Sequence, residues 1–304
     1  MPTTPETVVL SAVMLTEAHP RGVLVDVEQP QLLLSDRAAS RGDGVFESLL
    51  LRRGALRSLE EHLARLRRSA EALRLRGPDD AAWKAAIGTC LDAAVGQWDA
   101  PTAPEVSVKL VLSRGPEGRG QGPTAWVLVA PVPHRTRYGP ERGLKVITLD
   151  RGYPAGIGQR APWLLIGVKT LSYAVNLAAQ RWAVEHGADD AIFVSTDGVV
   201  LEGATSSVIL ANVGQDGVVT LTTPADEDGL LPGTTQAAAF RVATSLGWRV
   251  EARRVRVDDL ERADALWLVS SVRLAAAVTE LDGVKIPCDP KLHRQLWEGL
   301  DREL

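Results

Sequence analysis

The chain has 304 residues, of which 45% are hydrophobic and 24% charged, and a formal net charge of −4; that balance suits a globular protein of two domains or one large one and lacks the basic footprint of a nucleic-acid binder. Two distant cysteines, Cys90 and Cys288, match neither a disulfide framework nor a metal-ligand spacing. No apolar run approaches the ~20 residues of a membrane span, and the opening M-P-T-T-P-E lacks the basic and apolar regions of a signal peptide, so a cytoplasmic protein is expected.

Residues 8–35 read as short strands and turns. In R-G-D-G-V-F-E-S-L-L-L-R-R-G-A-L-R-S-L, residues 41–59, Asp43-Gly44 is a turn, Val45 to Leu51 a strand, Arg53-Gly54 a second turn, and Leu56 opens the returning strand. Ser58 and Glu61 have the spacing of a capping box for a helix from Leu59 to about Leu75, with Leu59, Leu63, Leu66, Ala70 and Leu73 on one stripe. Arg65 lies near that stripe, either paired with Glu61 at i,i+4 or free to bind an anion. A second helix spans about Asp80 to Val95, and a strand runs from Val106 to Ser113. It empties into R-G-P-E-G-R-G-Q-G-P, whose Arg114 and Arg119 suit a carboxylate-bearing substrate or belong to a plain hairpin loop. A strand from Ala125 to Val132 closes this part, and P-V-P-H-R-T-R-Y-G-P-E-R-G, residues 131–143, has linker composition.

A strand from Leu144 to Leu149 precedes A-P-W-L-L-I-G-V-K-T-L-S-Y, residues 161–173. Lys169, one of six lysines in the chain, follows the apolar run Trp163, Leu164, Leu165, Ile166 and Val168. Enclosure by such neighbours disfavours the ammonium and leaves a neutral amine that can attack a carbonyl. The plainer alternative is a lysine at a strand-to-helix corner with its stem buried and its head in water. The helix after it stops at Gly187. Asp197-Gly198 joins two strands as a hairpin. Glu202 ends the second and is followed by small residues, Gly203 to Ser207; it is a solvated strand-end charge or the floor of a ligand site. Another hairpin spans about Val208 to Leu221. In L-L-P-G-T-T-Q, residues 230–236, Thr234 and Thr235 precede a helix from Ala237 to Leu246. They cap it or, with its free amides, cradle a phosphate. Strands follow over Arg249 to Val255 and Leu266 to Ser270, then a turn at Asp282-Gly283 and a terminal helix from Pro290.

The order G-D-G-V-F-E, H-x-x-R-L (His62, Arg65, Leu66), the lysine, L-E-G-A-T-S-S and L-P-G-T-T resembles the class IV pyridoxal-phosphate enzymes over roughly Asp36 to Gly283. That family includes branched-chain and D-amino-acid aminotransferases and 4-amino-4-deoxychorismate lyases. The resemblance implies a two-domain α/β (α+β) chain of fold type IV, similar to D-amino-acid aminotransferase. The expected division is a small N-terminal domain over 1–131, a linker over 132–143, and a larger C-terminal domain over 144–304 that carries the Schiff-base lysine.

Position by position, the resemblance implies that Lys169 bonds pyridoxal 5'-phosphate and moves protons. Glu202 faces the pyridine nitrogen, Tyr173 the phenolic oxygen, and Arg65, Thr234, Thr235 and Ser271 anchor the phosphate. K-T-L-S-Y-A-V-N with L-S-R-G-P-E-G-R-G looks most like the bacterial aminodeoxychorismate lyases, implying cleavage of 4-amino-4-deoxychorismate to 4-aminobenzoate and pyruvate on the way to folate. Ser48 falls at a substrate-pocket position, and Arg114, Arg119 or Arg273 would hold substrate carboxylates. The rival on the same fold is an aminotransferase of D-amino or branched-chain amino acids; a non-catalytic protein that kept the fold is disfavoured because Lys169 and Glu202 are both present. Ser207, Gln236 and Ala277 depart from residues common in the family: asparagine, arginine and proline. The resemblance also implies a homodimer with the site near its interface and a small-molecule substrate.

Overall fold

The computed structural model describes residues 10–95, 105–118, 122–132, 142–225 and 229–303. Its backbone divides into two units, one of Met1–His134 with Val168–Tyr173 and Leu304, the other of Arg135–Gly167 with Ala174–Glu303. Residues 133–141 of the expected linker lie outside the described residues.

The first unit runs β1 (Ser11–Leu15), β2 (Val23–Val25), α1 (Arg37–Arg41), β3 (Gly44–Arg52), β4 (Ala55–Leu56), α2 (Leu59–Ala72), α3 (Asp80–Val95), β5 (Val106–Ser113) and β6 (Thr124–Pro131). The strands form one antiparallel sheet in the order β2-β1-β6-β5-β3-β4. Strand alternation sends Val45, Glu47 and Leu49 to one face, where α2 lies against β3 and α3 against β1 and β6. Leu49, Val108, Leu110 and Val127 are wholly buried there. The other face carries Phe46, Ser48, Lys109 and Trp126 and is only partly covered.

The capping box at α2 is not formed. Ser58 is left-handed at φ 49° and its side chain caps nothing. Arg57 N–H still donates to Leu50 O at 3.0 Å, so the chain is held in the hairpin until Ser58 and must turn into the helix there.

The second unit runs β7 (Leu144–Asp150), α4 (Ala174–Glu185), β8 (Asp190–Val194), β9 (Val200–Gly203), β10 (Ser207–Val213), β11 (Val219–Pro224), α5 (Thr234–Ser245), β12 (Arg249–Arg253), α6 (Val257–Glu261), β13 (Ala265–Ser270), β14 (Leu274–Leu281), β15 (Val284–Lys285) and α7 (Pro290–Arg302). Its sheet, ordered β12-β11-β10-β13-β14-β7-β8-β9 with β15 beside β14, mixes parallel and antiparallel pairs. One face packs α5 and α7 around the fully buried Trp267, whose indole N–H donates to His293 Nδ1 at 3.0 Å. The other closes over Leu144, Ile192 and Leu266. Each unit joins strands and helices, in keeping with the α/β class that the motifs implied.

Candidate active site

In the first unit the lysine segment lies along the start of β3. Phe46 N–H donates to Lys169 O at 3.1 Å, Leu171 N–H to Gly44 O at 2.8 Å, Val45 bridges Thr170, and Lys169 N–H donates to Ser69 Oγ at 3.3 Å. These bonds group Val168–Tyr173 with the first unit, whereas the motif order had placed Lys169 in the C-terminal domain. The first residues of the apolar run before it are open to solvent. Pro162–Leu164 form a 3-10 turn, Leu165 is left-handed at φ 53°, and Trp163 is 75% exposed. What faces the amine is aromatic: Lys169 Nζ stands 4.5 Å from the Phe46 ring centroid and 5.9 Å from that of Tyr173. The two rings meet edge to face at 5.2 Å.

On the opposite face of β3, Glu47 is fully buried and binds two side chains of α2. Arg65 donates from Nε at 2.7 Å and from Nη2 at 2.8 Å, and His62 Nδ1 stands 2.7 Å from Glu47 Oε2. An ionised carboxylate only accepts, so Nδ1 carries the proton. Burial by itself raises the Glu47 pKa, but the bonds from Arg65 and His62 outweigh it and bring the carboxyl down to about 2. Burial lowers the His62 pKa against the pull of Glu47. Glu47 is therefore a charged partner of Arg65 that helix spacing alone does not reveal. The signal was present, since His62 and Arg65 share a helix face at i,i+3, but only the packing of α2 on β3 shows that Glu47 meets them.

Two arginines expected at substrate carboxylates are held elsewhere. Arg114 donates to Asp43 from Nε at 2.6 Å and Nη2 at 3.2 Å, and to Leu73 O at 2.8 Å. This ties the end of β5 to the turn before β3. Arg273 Nη1, in the β13–β14 turn, donates to the fully buried Asp190 of β8 at 2.7 Å. Each guanidinium has a protein carboxylate as its counterion. Arg119 lies outside the described residues. Ser48 is half-buried on β3, directly across from Lys109 of β5.

In the second unit, Glu202 sits half-buried on β9 with Leu231 N–H donating to Oε2 at 3.4 Å. Burial raises the pKa of Tyr153, and the charge of Glu202 adds to that rise while Arg151 opposes it. Helix α5 begins three residues before its expected start, at Thr234, on Gly233, which supplies no side-chain cap. Thr234 and Thr235 are buried, and Thr234 Oγ1 stands 3.3 Å from Ser271 Oγ. A Cβ on Gly233 would fall 2.4 Å from Ser207 Oγ, so the helix start passes close to that hydroxyl. Ser206 Oγ, in the same small-residue turn, is buried without a hydrogen-bond partner. Two hydroxyls, uncapped amides and a helix start are a donor set for an anion, and phosphate fits it.

The model of the family described as amino-transferase class IV matches residues 44–281. The chain belongs to that family. Among class IV aminotransferases it is 46% identical, over 88% of its own length and 92% of the other, to a bifunctional aminodeoxychorismate lyase / D-amino acid transaminase of Mycobacterium tuberculosis. A hypothetical aminotransferase from Mycobacterium tuberculosis, solved in a pyridoxal-phosphate-bound form, superposes with a TM-score of 0.85 at 43% identity, over 95% of this chain and 97% of that one. A fold IV transaminase from Curtobacterium pusillum gives 0.86 at 42% identity, over 96% and 99%. Among the described residues no helix is long and apolar enough to cross a membrane.

Proposed function

We propose that this class IV enzyme is a pyridoxal-phosphate-dependent lyase that converts 4-amino-4-deoxychorismate to 4-aminobenzoate and pyruvate. The observation that carries the reading is the Lys169 amine, set against Phe46 and Tyr173, in a chain 46% identical to a protein named for this lyase activity. The same relative is also named a D-amino acid transaminase, which supports D-amino acid transamination as the second reading.

Pyridoxal phosphate, when bound, supplies an electron sink for the carbon that loses a proton. Lys169 would hold its aldehyde carbon, Tyr173 its phenolic oxygen, and Glu202 the proton of its ring nitrogen. Thr234, Thr235, Ser271 and the first amides of α5, with Arg65, would take the phosphate. Glu47 keeps the Arg65 guanidinium from rotating, since two of its donors are fixed in a buried fork.

In the lyase reaction the amine of Lys169 takes the proton from the amine-bearing ring carbon. The carbon–oxygen bond at the neighbouring carbon breaks, the ring becomes aromatic, and the three-carbon fragment leaves as its enolate. The proton now on Lys169 is placed to return to the methylene carbon of that fragment, which completes pyruvate and restores the neutral amine. Ser48 on the same face of the sheet offers a hydroxyl to the departing oxygen. Transamination uses the same first proton transfer and returns the proton elsewhere, so Lys169 serves both.

The test combines the enzyme with chorismate, glutamine and the synthase that makes the aminated substrate, and measures 4-aminobenzoate. D-alanine with 2-oxoglutarate is offered in parallel. Formation of 4-aminobenzoate that disappears with Lys169→Ala is expected; D-amino acid transfer with no aminobenzoate would leave only the second reading. The enzyme acts as a homodimer in this proposal, and α4 supports it: the helix buries only Ala179 and Ala183 and leaves Val175, Leu177, Trp182 and Val184 exposed.

A further inference from the structure

The turn between β13 and β14 holds three residues, Ser271, Val272 and Arg273, because Ser270 pairs with Leu274 across the hairpin. A three-residue loop of this kind ends on a residue with positive φ, a position that suits glycine. Here the residue is Leu274, with φ 61° and a fully buried side chain. A side chain of that size in the left-handed region is strained, and such a conformation persists only where the surroundings impose it.

Arg273, the residue before Leu274, reaches across to β8. Its Nη1 donates to Asp190 Oδ2 at 2.7 Å. The Asp190 side chain is fully buried and that of Arg273 is 16% exposed. The other carboxylate oxygen, Oδ1, accepts from Ala191 N–H at 2.9 Å, so both oxygens are held. Strand β8 lies inside the sheet between β7 and β9. One end of this tie is thus fixed in the sheet and the other sits on the turn. Two residues before Arg273, Ser271 Oγ stands 3.3 Å from Thr234 Oγ1 at the start of α5. The strained turn therefore carries one hydroxyl of the donor set for an anion.

We infer that Asp190 is a positioning residue for cofactor binding: acting through Arg273, it holds the β13–β14 turn so that Ser271 stays beside Thr234, where both hydroxyls meet the phosphate. Relaxation of Leu274 would move the turn, and the ion pair opposes that movement. A buried ion pair adds little net stability; what this one fixes is the place of Ser271. The inference rests on the reading of Thr234, Thr235 and Ser271 as phosphate anchors. It gives Arg273 work on the protein side of the site in place of the substrate contact that its sequence position suggested.

The test titrates the apoenzyme with pyridoxal 5'-phosphate and with pyridoxal, which lacks the phosphate, and follows the absorbance of the bound aldehyde. The ratio of the two affinities isolates contacts made to the phosphate. Asp190→Asn keeps the side-chain shape and removes its charge. It is expected to weaken pyridoxal phosphate by about ten-fold, the low end of what a hydrogen bond to a charged group contributes, and pyridoxal by less than about two-fold. Arg273→Lys, which keeps a cation near Asp190, is expected to retain most of the ratio. Should Asp190→Asn not fold, the double variant with Arg273→Gln leaves no unpaired buried charge and is expected to show the same fall. Equal losses for the two aldehydes would make the pair merely structural and overturn the inference, as would an unchanged ratio. Ser271→Ala separates the two readings. A ratio that falls in Ser271→Ala but not in the Asp190 variants sinks the positioning role alone; a ratio unchanged in Ser271→Ala sinks the Ser271 anchor and this inference with it.

Discussion

Glu47 is a buried charge whose cost is met by its partners. It is fully buried, forked to Arg65 and bonded to His62, so its removal takes two charge-assisted bonds from a buried guanidinium. Glu47→Ala is expected to cost about 3–5 kcal/mol, read as a lower urea midpoint at unchanged slope. The pH dependence has a definite sign. The Glu47 pKa falls from 4.5 unfolded to about 2 folded, so its contribution is complete above 4.5 and fades as pH drops toward 2. The pKa of His62 is also lowered by folding, so the unfolded chain takes up that proton first, below its ordinary value of 6.5, and stability falls in the same direction. Unfolding free energy measured from pH 7 to 3 should decline throughout, and Glu47→Gln should flatten the part below 4.5. An unchanged profile in that variant would remove Glu47 from the account.

At the scale of elements, the join between the lysine segment and β3 depends on one absent side chain. Gly44 faces Ser113 across the β3–β5 ladder, and its carbonyl accepts from Leu171. A Cβ there would lie 2.5 Å from Leu112 O and 2.7 Å from Leu171 Cδ1. The first contact is backbone within the sheet and has nowhere to move. Gly44→Ala is expected to cost about 1–3 kcal/mol by overpacking and to push the lysine segment off β3. Melting curves with and without added pyridoxal phosphate separate the two effects: the variant should melt lower and also gain less from the cofactor. A full cofactor-induced gain would mean that the lysine segment is positioned by something other than this strand.

For the whole molecule, the exposed apolar surface of α4 argues for a second copy. Trp182 is 51% and Val184 66% exposed, on a helix whose buried residues are both alanine. Sedimentation equilibrium should give about twice the 32.6 kDa chain mass, and Trp182→Glu should shift the population toward the monomer; a wild-type monomer would refute the dimer. The strands and helices were largely legible in the sequence: Asp80–Val95 and Val106–Ser113 run where local pattern sets them, because apolar periodicity and turn residues act over a few neighbours. The ordered motifs were equally legible, and with them the family and its cofactor, since each motif is a short run of residues. What only the tertiary structure decided is which charge meets which. Arg114 with Asp43, Arg273 with Asp190 and Arg65 with Glu47 are pairs made by strand register and helix packing between residues 18 to 83 apart in the chain. A guanidinium in a sequence carries no mark of its counterion, so it reads alike whether a substrate or the protein neutralises it.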